Sequence, residues 1–73
     1  MERYRIEWLL NRQEGKYVEA DVWFDETGRP CYQQPMQLVI VLDWMDWCII
    51  REACLKVLPD HVFAQFELVL QQP

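Results

Sequence analysis

The chain is poor in the residue types on which many enzyme and cofactor sites depend. It has no serine, one threonine (Thr27), one histidine (His61) and only two glycines. A triad built on a serine nucleophile is therefore excluded, as is a zinc site built from several imidazoles. Two glycines also cannot form a glycine-rich phosphate loop. We predict no catalytic residue, no metal site and no cofactor.

The cysteines and the apolar runs are equally limited. Cys31, Cys48 and Cys54 are odd in number and show no C-x-x-C spacing, a pattern that favours a reducing compartment over a disulfide framework or a zinc knuckle. The longest aliphatic run, Leu38 to Leu42, is far too short to cross a bilayer. The N-terminal residues lack the apolar core of a signal peptide. We therefore expect a cytoplasmic protein without membrane contact.

Basic residues are also scarce. Seven Lys and Arg stand against twelve Asp and Glu, which gives a formal net charge of -5. This charge opposes the counterion release that drives binding to a phosphate backbone, so we expect no direct contact with nucleic acid. It would steer the chain towards a basic partner, although a modest negative charge more commonly serves solubility alone.

Apolar residues, in contrast, make up 52% of the 73 residues, which is enough to predict a packed core. The length leaves room for one domain, over residues 1–73. A core this small commonly needs support, and the sequence offers neither disulfides nor metal ligands. We therefore expect a homodimer or a state stabilised by a partner.

Two alternating segments predict a β-hairpin. Residues 2–10 and 18–25 each place apolar side chains on one side and mostly polar ones on the other, and the polar residues 11–15 form the turn. One antiparallel register places the apolar side chains of both strands on the same face of the sheet, although it also pairs two residues of like charge. It pairs Tyr4 with Val22, Ile6 with Ala20 and Trp8 with Val18 on the apolar side, and Arg3 with Trp23, Arg5 with Asp21 and Glu7 with Glu19 on the other.

The rest of the chain predicts a third strand, a helix and a fourth strand. A turn at residues 25–30 leads to a third strand that begins near Cys31. Its better part is Met36 to Leu42, because that run is rich in β-branched residues. Asp43 is a good N-cap for a helix from Trp44 to Leu58, which Pro59 ends. Alternation from Val62 to Leu70 predicts the last strand.

The predicted order is β-β-β-α-β, an α+β fold with a mostly antiparallel four-stranded sheet and one helix packed on one face. The fourth strand would run parallel to the first and third and could pair beside either. We prefer a place beside the first strand, because Pro35 cannot donate to a ladder and makes the third strand the more natural edge.

The predicted helix has more apolar surface than one sheet contact needs. Trp47 and Ile50 lie on its broad apolar side, while Trp44, Cys48 and Leu55 form a second stripe. A helix that is apolar on most sides is either deeply buried or shared with another chain. Trp44 and Trp47 are therefore candidate partner-binding residues, with the alternative that at least one of them belongs to the core.

A second candidate surface is formed by acidic residues of the second strand and of the turn after it. One aromatic side chain of the strand lies among them. Carboxylates at strand spacing could imitate a phosphate track or bind an arginine-rich surface. The commoner alternative is a solvated face of an antiparallel sheet. The candidates on this surface are Glu19, Asp21, Trp23, Asp25 and Glu26.

Together these patterns predict a small acidic protein-binding module that inhibits or regulates a macromolecular partner, such as a protein with a basic nucleic-acid-binding surface. In type it resembles the small antagonists that phages and mobile elements direct against host defence, anti-CRISPR proteins among them, or against transcription machinery. No motif carries this resemblance, so no residue role follows from it. The alternative is a structural homodimer or assembly subunit without an inhibitory role.

Overall fold

The computed structural model describes residues 2–71 and contains four strands followed by two helices. The predicted domain span of residues 1–73 also includes Met1, Gln72 and Pro73, which lie outside the described range. The strands form one antiparallel sheet in the order β1-β2-β3-β4, which confirms an α+β fold with a four-stranded antiparallel sheet. The elements are β1 (Tyr4–Asn11), β2 (Lys16–Phe24), β3 (Pro30–Gln33), β4 (Ile40–Val41), α1 (Trp44–Val57) and α2 (Asp60–Leu70).

Both helices pack on one face of the sheet. Side chains from this inner face, such as Ile6, Ala20 and Val22, form a single buried cluster with residues of α1 and α2. The opposite, outer face carries the polar side chains that alternate with them, such as Arg5 and Asp21. This alternation is typical of an antiparallel sheet with one covered face.

The register of β1 and β2 is the predicted one. Every predicted pair from Tyr4–Val22 to Trp8–Val18 is present, including the two glutamates, Glu7 and Glu19. Arg5 reduces the repulsion at that pair, because its Nη1 lies 3.4 Å from Glu19 Oε2. The register could be predicted because a shift of one strand by one residue would move Ile6 or Ala20 from the buried face to the exposed face.

The predicted third strand is wrong in its extent, because the chain reverses within it. The Gln37 amide donates to the Gln34 carbonyl at 3.1 Å, which closes a turn with Pro35 and Met36 at its centre. Pro35 has the fixed φ that suits the second position of a turn and has no N–H to lose. The segment after the turn therefore forms β4, which pairs with β3. The predicted place for the last strand, beside β1, is wrong, because β1 is an edge of the described sheet.

Helix α1 agrees with the prediction to within one residue at its C-terminal end. The Asp43 carboxylate accepts a hydrogen bond from the Asp46 amide at 2.8 Å, which is the expected N-cap interaction. The helix ends at Val57, and Leu58 leaves helical geometry immediately before Pro59.

The last predicted strand is wrong: residues 60–70 form a second helix, α2. Val62, Phe66 and Leu70 are its buried residues, and their spacing of four fits an alternating strand as well as one face of a helix. The two structures differ at Leu68, which a strand would bury with Phe66 and which α2 exposes. The good helix formers between these positions, such as Ala64 and Glu67, favour the helix.

Aromatic side chains of both helices meet at the centre of the core. The Trp47 and Phe66 rings are nearly parallel, 9° apart in plane and 5.4 Å apart between centroids. Phe66 also contacts Phe24 of β2, at 4.1 Å between centroids. Glu67 accepts a hydrogen bond from Trp47 Nε1 at 3.2 Å and forms an ion pair with Arg51. These contacts hold α2 against α1 and the sheet.

Alanine substitutions can test whether residues 62–70 form the observed helix or the strand predicted from the sequence. We expect Phe66→Ala to lower the free energy of unfolding by about 3–5 kcal/mol, because this side chain is fully buried. Leu68→Ala should change it by less than about 0.5 kcal/mol, because Leu68 is 73% exposed. Urea unfolding followed by circular dichroism measures both. Large losses for both variants would contradict the helix, because they are the pattern of a strand.

Candidate protein-binding surfaces

The residues predicted to bind a partner lie in two separate places. Glu19, Asp21 and Trp23 share the outer face of β2, and Asp25 and Glu26 follow in the β2–β3 turn. Trp44 and Trp47 belong to α1, which lies on the inner side of the sheet. The structure therefore brings together the five residues of the acidic group but does not join them to the two tryptophans.

Arginines from β1 and the residues before it neutralise much of the acidic group. Arg5 Nε lies 2.6 Å from Asp21 Oδ1, and the same guanidinium is 3.4 Å from Glu19. The Arg3 guanidinium lies over the Trp23 ring, 3.7 Å from its centroid. Trp23 is only 3% exposed as a result, so a partner would meet the arginine before the indole. The predicted pairing of Arg3 with Trp23 places these two side chains next to each other. It did not predict that the indole of Trp23 would be buried.

Asp25 stabilises the turn that follows β2. Its Oδ1 accepts hydrogen bonds from the Thr27 hydroxyl at 2.7 Å and from the amides of Thr27 and Arg29, both at 2.9 Å. These bonds, with the Thr27 hydroxyl contributing most, hold the pKa of Asp25 well below its ordinary value of 3.8. Gly28, at φ +83°, provides the positive φ that this tight turn requires.

Removal of the Asp25 charge should have an effect that depends on pH. Because the folded-state pKa lies below 3.8, the stabilisation is complete above that pH and is lost as the pH falls through the folded pKa. We expect Asp25→Asn to be less stable than the wild type at neutral pH, with a difference that shrinks below about pH 3.8. Thermal unfolding across pH 2–7 measures this difference. Glu26→Gln, the same change at an exposed neighbour, is the control, and a pH-independent difference for Asp25→Asn would contradict the assignment.

The two tryptophans of α1 have different environments. Trp47 is completely buried, so it belongs to the core and a partner cannot contact it. This outcome corrects its proposed binding role and confirms that at least one of the two is a core residue. Trp44 is half-buried and borders a shallow groove of about 570 Å³ between the helices, together with Arg51, Phe63 and Leu68.

Helix α1 also exposes several large apolar side chains away from the core. Met45, Ile49 and Leu55 are 72%, 65% and 55% exposed, and Cys48 is exposed beside them. The prediction that this helix carries more apolar surface than its core contact uses is therefore confirmed. Such a face on a surface helix is typical of a contact with another chain.

A groove that sequence reasoning missed lies where α1 crosses the inner face of the hairpin. We call it the Trp8 groove; its volume is about 280 Å³. Its sheet side is apolar because the hairpin contributes Trp8, Leu10 and Val18 to the lining, and Leu10 remains exposed. The residues that line it are Trp8, Leu10, Val18, Tyr32, Gln34, Asp46, Ile49 and Ile50.

One polar atom of the Trp8 groove lacks a hydrogen-bond partner, and two ionisable groups of the groove have raised pKa values. The indole nitrogen of Trp8 is shielded from solvent and has no hydrogen-bond partner within residues 2–71. Burial, followed by the charge of Asp43, raises the pKa of Asp46. Burial also raises the pKa of Tyr32, with a further contribution from Asp46. The alternation of β1 places Trp8 on the inner face, but the sequence carries no signal for how far α1 covers it.

Two of the three free thiols, Cys31 and Cys54, are buried, and Cys48 is exposed. Burial raises the pKa of Cys54 to about 12 and also raises that of Cys31. No three His, Cys, Asp or Glu side chains within residues 2–71 are grouped closely enough to hold a metal ion. In the same range, neither helix combines the length and apolar character needed to cross a bilayer.

Comparisons with protein families, curated proteins and solved structures found no match to this chain.

Two tryptophan-to-phenylalanine variants can test the unpaired Trp8 nitrogen. Trp47→Phe removes a donor that is bonded to Glu67, whereas Trp8→Phe removes a donor that has no partner. A buried N–H without a partner costs about 1–3 kcal/mol, and its removal recovers part of this cost. We therefore expect Trp47→Phe to be more destabilising than Trp8→Phe by at least about 1 kcal/mol. Equal losses in chemical unfolding would show that the Trp8 nitrogen is satisfied in solution.

Proposed function

We propose that this protein is a protein-binding module that inhibits or regulates a macromolecular partner by occupying its surface, and that the Trp8 groove with the adjoining face of α1 is the docking site. One observation carries the proposal: Ile49 lines an apolar groove and is still 65% exposed, beside the exposed Met45. The role involves no catalytic step. A cytoplasmic setting is part of the proposal and is supported by the three free thiols.

The groove has the properties of a pocket for an anchoring side chain. Its walls are mainly apolar, and its volume is at the small end of the range for ligand pockets, which suits one large side chain of a partner. Anchor side chains that enter such pockets commonly dominate the energy of an interface. Trp8 contributes an aromatic ring to the lining, on which an anchoring side chain of the partner can pack.

The charge around the groove favours a partner with a basic rim. Asp43 and Asp46 lie at the start of α1 beside the groove, and the whole chain has a net charge of -5. A basic partner would be steered towards this end of the molecule. Proteins with nucleic-acid-binding surfaces carry such basic regions, and an antagonist of host defence or of transcription machinery would bind one of them.

The acidic outer face is the weaker docking candidate. Asp21 and Asp25 already interact with Arg5 and Arg29, and a partner would have to compete with these contacts. Glu19 and Glu26 are the exposed carboxylates of the group. Because exposed ion pairs contribute little energy, these residues would adjust the rate of association more than the affinity.

A charge placed in the groove should abolish docking. We expect Ile49→Glu to raise the dissociation constant at least about tenfold, because a carboxylate would replace the apolar rim of the anchor pocket. Proteins captured from the native host by the wild type would be identified, and binding of each purified partner would be measured by calorimetry together with its activity.

The matched control is Leu68→Glu, the same type of change at a similarly exposed position on α2. It should bind and inhibit as the wild type does, and Trp8→Phe should weaken binding. If Ile49→Glu and Trp8→Phe retained full affinity while Leu68→Glu lost it, docking would lie in the groove between the helices that Trp44 and Leu68 border, and the proposed site would be wrong. A captured partner whose activity is unchanged on binding would contradict the inhibitory role.

A further inference from the structure

The edge of the sheet at β4 has the largest continuous run of exposed apolar side chains in the described chain. Met36 is fully exposed and Leu38 is 87% exposed. Val39, Ile40 and Val41 follow, each with at least two fifths of its surface accessible. On the side away from β3, β4 pairs with no strand of residues 2–71.

The backbone of β4 leaves hydrogen-bonding groups free at this edge. The Leu42 amide donates to the Pro30 carbonyl at 2.9 Å, and Ile40 is paired with Tyr32 of β3. Because amides along a strand alternate in direction, the N–H and C=O groups of Val41 point away from β3. They are available to a further strand.

No charge, proline or bulge protects this run, and only the short length of β4, two residues, limits pairing at the edge. Soluble proteins commonly place lysine, proline or a bulge on an exposed edge strand to prevent association. The run from Gln37 to Leu42 contains neither charge nor proline and is rich in β-branched residues. Pro35 precedes it and is used in the turn at Gln34–Gln37. An edge of this composition is typical of a strand that another strand covers.

We propose that β4 pairs with β4 of a second copy of this chain in antiparallel register, so that the two sheets join into one across a two-fold axis. The distribution of charge identifies the occupant. Each copy has a net charge of -5, so two copies repel each other wherever their acidic surfaces meet. An isologous contact brings the same residues of both copies together and therefore needs a patch that does not repel itself. Pro30 to Leu42 has no charged residue, so two copies that meet at this edge bring no like charges of this segment together.

The turn before β4 supports a role for this segment in binding. Met36 has φ +61° at the third position of the turn, a conformation that favours glycine. Residues with a Cβ in such conformations cluster at functional positions, where the exposed side chain has a use that offsets the strain. Here the strained residue projects its side chain fully into solvent beside the apolar edge.

This self-association goes beyond the proposed function and uses different residues. The Trp8 groove depends on Trp8 and Ile49, whereas the dimer contact depends on residues 36–41. The two proposals can fail separately, because partner affinity and self-association are measured with different variants.

A charge-swap experiment tests the two-fold contact. Val39 lies outside the β3–β4 ladder, so Val39→Lys and Val39→Glu leave the hydrogen bonds of the sheet intact. The two-fold axis would bring the two copies of residue 39 near each other, so each variant alone should dissociate at least about tenfold more readily than the wild type. An equimolar mixture of the two variants should associate again, because opposite charges would face each other.

Sedimentation equilibrium of the full chain over a range of concentrations measures each case. Leu68→Lys is the matched control, since it adds the same charge at an exposed position on α2 and should remain dimeric. Near-ultraviolet circular dichroism checks that each variant is folded. A wild type that stays monomeric at every concentration, a Val39→Lys variant that remains dimeric, or folded charge variants that do not associate when mixed would each overturn the proposal.

Discussion

The packing of Phe66 against Trp47 is the contact on which the rest of the structure depends. The sheet alone has one apolar face, and α1 alone cannot cover all of it. Phe66 fills the space between Trp47 and Phe24, so it joins β2, α1 and α2 in one cluster. Glu67, the next residue, receives both the Trp47 indole hydrogen bond and the Arg51 ion pair. These contacts determine which side of α1 faces inward, and the side that carries Ile49 is therefore left at the surface.

The elements that could be predicted from the sequence are those with local causes. The β1–β2 register follows from alternation on two adjacent strands, and a one-residue slip would bury Arg5 or expose Ile6. The beginning of α1 follows from the Asp43 side chain, and its end from Pro59. Each of these causes acts within a few residues of the chain or between neighbouring strands. The acidic group on β2 was also found in this way, because strand parity places Glu19, Asp21 and Trp23 on one face.

The elements that could not be predicted depend on distant contacts. Val62, Phe66 and Leu70 fit a strand and a helix equally well, and the contacts of Phe66 with Trp47 and Phe24 exist only in the folded chain. The turn at Pro35 splits the predicted third strand because β4 can pair with β3 through Cys31 and Tyr32. The Trp8 groove depends on where α1 lies against the hairpin, because its lining combines Ile49 and Ile50 with Trp8 and Val18. Similarly, the low exposure of Trp23 depends on Arg3, whose neighbour across the sheet is known only once the register is fixed.

Both proposed contacts involve apolar residues that the described helices and strands leave uncovered. Two short helices can cover the centre of a four-stranded sheet but not its hairpin end or its β4 edge, so the apolar residues of both regions stay accessible. Residues 2–71 contain no further helix or strand that covers them. Another chain could bury each region, as the two proposals state. The charges of the two regions differ. Acidic groups lie beside the Trp8 groove and suit the basic partner that we propose for it. The β4 edge carries no charge and suits the proposed contact with a second copy, whose net charge is also negative.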